Sequence, residues 1–61
     1  MEKILTERGT YTFALMDSER NHFFVNEEDG SVMIQDDKGK PLLDGSKARN
    51  KYLQELKMRL N

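Results

Sequence analysis

The sequence has no cysteine, which excludes disulfide staples and thiolate metal sites. It also has no long apolar run, so no segment reads as a membrane span. The opening Met-Glu-Lys-Ile-Leu-Thr-Glu lacks the apolar centre of a signal peptide, and a cytoplasmic location is the expectation. Charge of one sign is not in excess. Ten Lys and Arg face eleven Asp and Glu, a net of −1, so overall charge directs the chain to neither nucleic acid nor membrane. Internal repeats, linkers and low-complexity stretches are missing too. Sixty-one residues make one domain, spanning 1–61. A chain of this size buries only about 60% of its unfolded surface and is marginally stable without a staple.

The stretch that is richest in information is Asn21 to Gln35. Phe23, Phe24 and Val25 on one side, and Val32 and Ile34 on the other, are residues suited to a pleated, half-buried surface. Between them lies Glu27-Glu28-Asp29-Gly30, an acidic turn that ends in glycine. Register follows by elimination, because a slip of one residue exchanges the two faces. A two-residue turn sets acids against apolar residues, and a three-residue loop opposes Asn26 to Val32. A four-residue loop pairs Val25 with Val32 and Phe23 with Ile34, which makes one face wholly apolar. It also sets Phe24 opposite Met33 and His22 opposite Gln35 on the reverse face.

Other segments fall into place around this hairpin. Residues 10–16 alternate, with Tyr11, Phe13 and Leu15 on one face and Thr10, Thr12, Ala14 and Met16 on the other. Short strands are expected at 3–6 and 41–43, the latter at an edge because Pro41 cannot donate to a ladder. The main strands run over about 10–16, 21–26 and 31–36. A helix over 46–60 follows, capped by Asp44 or Ser46. Ala48, Tyr52, Leu53, Leu56 and Leu60 share its apolar stripe, with Arg49 inside it and Met58 opposite. A helix of this length does not hold alone in water and must dock. The expected fold is α+β: a small antiparallel β-meander of three to five strands with one C-terminal α-helix on one face. The expected core is Tyr11, Phe13, Leu15, Phe23, Val25, Val32, Ile34, Leu42, Tyr52, Leu53, Leu56 and Leu60.

No nucleophile motif, phosphate loop or carboxylate pair stands out, and Ser18, Ser31 and Ser46 are explained as turn or cap residues. Neither a catalytic residue nor a cofactor or metal ligand is assigned, and the chain reads as a non-enzyme. His22, alone and without cysteine, makes a poor ligand set. The acidic turn does not match the ligand spacing of a calcium loop.

Charge is nevertheless segregated. From Asp17 to Asp44 eight acids meet three bases, whereas from Gly45 onward five bases meet one acid. One helix covers one sheet face, so the reverse face, with Ala14, Met16, His22, Phe24 and Met33, is the expected contact surface. Its partner would be another protein, with a second copy of this chain among the candidates, in the manner of an inhibitor, adaptor or subunit. Two alternatives arise from charge. Lys47, Arg49, Lys51, Lys57 and Arg59 could grip nucleic acid, although nearly uncharged strands and scattered cations weaken that reading. The acidic turns could instead imitate a phosphate backbone toward a nucleic-acid-binding protein.

Overall fold

The computed structural model describes residues 2–60. Five strands, β1 (Lys3–Thr6), β2 (Gly9–Met16), β3 (His22–Asn26), β4 (Val32–Gln35) and β5 (Pro41–Asp44), precede one helix, α1 (Gly45–Leu60). The strands pair antiparallel in chain order, β1-β2-β3-β4-β5, a meander with every neighbour in sequence also a neighbour in space. This is the expected α+β architecture, with both short strands present. α1 packs on β4 and β5.

The central hairpin adopts the register argued above: Val25↔Val32, Phe24↔Met33, Phe23↔Ile34 and His22↔Gln35. Its outcome is one apolar face, on which Phe23, Val32 and Ile34 are fully buried with Leu15 and Ala48. Val25, Leu43, Tyr52 and Leu56 pack around them, and the rings of Phe23 and Tyr52 lie 6.3 Å apart.

β2 departs from the simple alternation. A bulge between Phe13 and Leu15 leaves Ala14 without a partner, so Phe13 opposes Phe24 while Leu15 opposes Phe23. Leu15 therefore joins the helix-facing core, whereas Tyr11 and Phe13 are carried to the reverse face. The three residues do not share one side, as strict alternation would require.

Three turns are built on one plan. Asp17, Asn26 and Asp36 each open a turn, and each side-chain oxygen accepts backbone N–H groups from within it. Asp17 receives Glu19 and Asn21 at 2.9 Å, Asn26 receives Glu28 at 2.8 Å, and Asp36 receives Lys38 at 2.9 Å and Lys40 at 2.8 Å. A residue at positive φ closes each: Arg20, Gly30 and Gly39. At the junction of β5 and α1, Gly45 takes φ 67°, which lets the helix fold back directly from the strand with no connecting loop. That reversal, rather than a side chain from Asp44 or Ser46, starts the helix. Neither residue makes a side-chain hydrogen bond among the described residues.

Three expected core residues lie outside it. Leu42, Leu53 and Leu60 are 46%, 47% and 85% exposed. Position around the helix explains two of them. Ala48, Tyr52 and Leu56 pack on the sheet, and at about 100° per residue Leu53 and Leu60 project beside that stripe. Leu42 lies on the edge strand β5.

Candidate functional site

The reverse face does bring the expected residues together. Met16 lies opposite His22, and Phe24 opposite Met33. Yet Phe24 is only 1% exposed. Two features seal it. The bulge in β2 delivers Phe13, whose ring meets that of Phe24 edge-on at 5.9 Å and that of His22 at 5.5 Å. The sheet also curls over this side. Laid flat, its two edge strands would stand about 19 Å apart, but Thr6 at the end of β1, with Glu7 and Arg8 after it, lines the same cavity as Asp44 at the end of β5 and Gly45 at the start of α1. Phe24 is therefore buried within a second apolar layer, with almost no surface exposed. Met33 is half-buried beside it, with Gln35 Nε2 3.9 Å from its Sδ. His22 is half-buried, its Nδ1 enclosed without a hydrogen-bond partner. Ala14 and Met16 are exposed, the latter at 43%.

The cavity under the curl measures about 390 Å³ and is open to solvent between the β1–β2 turn and the β5–α1 junction. Tyr11, buried in its floor, places its hydroxyl 3.3 Å from Ser31 Oγ. Asn26, also buried, donates to the Arg8 carbonyl at 3.1 Å and so ties the first turn to the third strand. Asp29 accepts the Ser31 amide at 2.9 Å, and among the described residues no His hydrogen-bonds the Tyr11–Ser31 pair.

The acids of the turns are occupied structurally. The Ser31 amide holds the Asp29 carboxyl below its ordinary range, and the Lys40 and Lys38 amides do the same for Asp36. Burial pushes Asp17 upward, but the backbone and side-chain amides of Asn21 and the amide of Glu19 outweigh it, so its carboxyl too is lowered. The Thr12 hydroxyl and the Lys3 ammonium lower Glu27, which sits 2.9 Å from Lys3 Nζ. Among the described residues no three His, Asp or Glu side chains gather as a group able to hold a metal ion.

α1 carries the apolar surface that pattern reasoning missed. Ala48, Tyr52 and Leu56 turn toward the sheet, and Glu55 and Arg59 flank them on the side of β2. Arg59 donates to the Met16 carbonyl and lies 3.7 Å from Glu55. At about 100° per residue, Leu53 and Leu60 fall on the opposite flank. There they form, with Leu56, a groove bordered by Gln54 and Lys57. The signal was present in the sequence as a stripe wider than one docking face can cover, with Arg49 inside it.

The basic residues do not gather. Arg49, expected inside the buried stripe, is exposed, as are Lys47, Lys57 and Arg59, while Lys51 is half-buried with its charge acting on Asp17. Lys47 and Arg49 point about 160° apart around the helix.

What the fold and the exposed residues define is a small α+β domain with an apolar core under the helix, a smaller apolar layer around Phe24 on the reverse face, and one open apolar flank. Comparison with protein-family models, curated proteins and solved structures finds no match to this chain. No described helix is long and apolar enough to cross a membrane.

Proposed function

We propose that this chain is a non-enzymatic protein of the cytoplasm that acts by binding another protein, and that its contact surface is the outer flank of α1. The observation that carries this is the exposure of Leu53 and Leu60 beside half-buried Leu56, along one edge of the face by which the helix docks. Large side chains grouped in this way are what contact surfaces present. The proposal moves the surface from the reverse sheet face, where Phe24 is closed off, to the helix. Leu42, on the edge strand β5, adds a further exposed apolar side chain.

The test is differential capture by the tagged chain and its Leu53→Ser/Leu60→Ser variant from the same lysate. At least one protein recovered in stoichiometric amount by the wild type is expected to disappear with the variant, whose circular dichroism and melting temperature stay unchanged. Identical captured sets would end the proposal.

Nucleic-acid binding through Lys47, Arg49, Lys51, Lys57 and Arg59 has one observation behind it: Lys47, Arg49 and Lys57 make no ion pair among the described residues. Their spread around α1 counts against a continuous phosphate track. A gel shift with mixed-sequence DNA and RNA at low salt is expected to be blank, and a shift that collapses steeply with salt would favour this alternative instead. The phosphate-mimic reading draws less support, since Asp17, Asp29 and Asp36 already accept amides of their own turns.

A further inference from the structure

Resting on the contact reading just given, we infer that the α1 flank takes an acidic amphipathic helix of another protein. Leu53, Leu56 and Leu60 are spaced by three and four residues, and so form one ridge about 10 Å long on the helix surface. A ridge of that spacing is met by anchors at i, i+3 or i+4, and i+7 of a second helix.

Charge then selects the partner. The one acid of α1, Glu55, lies beside Arg59 on the other side of the docked stripe, so among the described residues of α1 the flank around the leucines carries no carboxylate. Arg49 and Lys57 flank the leucines, are exposed, and make no ion pair among the described residues. A partner with carboxylates beside its apolar anchors supplies both missing elements.

A second copy of this chain does not. An isologous contact presents the same patch from both sides, and would set one cationic flank against another with no carboxylate to answer either. An extended nucleic-acid strand would leave the leucines against phosphate and sugar.

The experiment uses the whole 61-residue chain, labelled with ¹⁵N and titrated with synthetic sixteen-residue helical peptides. One peptide carries Leu anchors flanked by Glu, a second has Lys in place of Glu, and a third has Ser in place of Leu. The Glu peptide is expected to shift amide resonances of α1 from Arg49 onward and to leave β1 to β3 undisturbed. Its affinity is expected to fall at least tenfold for the Leu53→Ser/Leu60→Ser variant, and to weaken as salt is raised. Three results would overturn the inference: no shifts at millimolar peptide, equal binding of the Lys peptide, or a dimer of the chain alone in sedimentation. Anionic vesicles that shift the same resonances more strongly than the Glu peptide would also overturn it, in favour of a lipid surface. If the peptide fails while differential capture still separates wild type from variant, only the partner chemistry is wrong. If capture fails as well, the contact surface itself is wrong.

Discussion

Phe24 and Asn26, two residues apart on β3, show how one strand face supports two kinds of burial. Phe24 is sealed by Phe13 and by the curl of the sheet. Asn26 is buried yet satisfied, accepting from Glu28 and Asp29 and donating to Arg8. Removing either is expected to be costly. Phe24→Ala should destabilise by about 3–5 kcal/mol, close to the whole stability of so small a core. Asn26→Ala should cost about 1–3 kcal/mol by leaving turn amides and the Arg8 carbonyl without partners. Urea titration of both variants measures this. Serine at exposed Leu53 should change stability by no more than about 0.5 kcal/mol.

The turn carboxylates make a pH prediction at the same scale. Asp29 and Asp36 are held below their unfolded values in the folded state. Groups lowered in this way contribute stability that is present above the unfolded value, near pH 4, and is lost as pH falls through the folded one. Denaturation midpoints are expected to be flat near neutrality and to decline below about pH 5. Asn can keep the turn geometry but does not titrate. Asp29→Asn/Asp36→Asn should therefore flatten that decline, and an unchanged slope would show that other groups cause it.

Element by element, the sequence was uneven in what it disclosed. The hairpin register was legible because every alternative placed acids or Asn beside β-branched residues, and the strands and helix were legible from their periods. The bulge at Ala14 was not. A bulge adds one residue without changing the apolar pattern on either side of it, so Tyr11-x-Phe13-x-Leu15 reads as unbroken alternation. Its consequence is large, since it sends two aromatic rings to the reverse face and closes the surface that the pattern had left open. α1 misled in the opposite sense. Its leucine stripe indicated burial, but the stripe is wider than the face that docks, and Leu53 falls beside Tyr52 and Leu56 rather than among the buried residues. A direct check is Ala48→Leu, which forces three extra carbons into a fully buried contact and should destabilise by about 1–3 kcal/mol. Leucine at exposed Asn50, a change of polarity with almost no change of size, should be nearly neutral.

For the whole molecule, the curl of the sheet and the rotation of the docked helix are the two facts that decide where contact can occur. The first removes Phe24 from solvent, and the second presents Leu53 and Leu60 to it. Charge segregation acquires a simpler meaning as well. Several of the acids in the middle of the chain build its turns, while the cations of α1 remain largely uncommitted around an apolar ridge. Solvent paramagnetic relaxation, read on the methyl and ring protons of the intact chain with a soluble gadolinium chelate, tests this arrangement most directly. The methyls of Leu53 and Leu60 are expected to broaden strongly while the Phe24 ring is protected like that of Phe23. Strong broadening of Phe24 with protected leucines would contradict it.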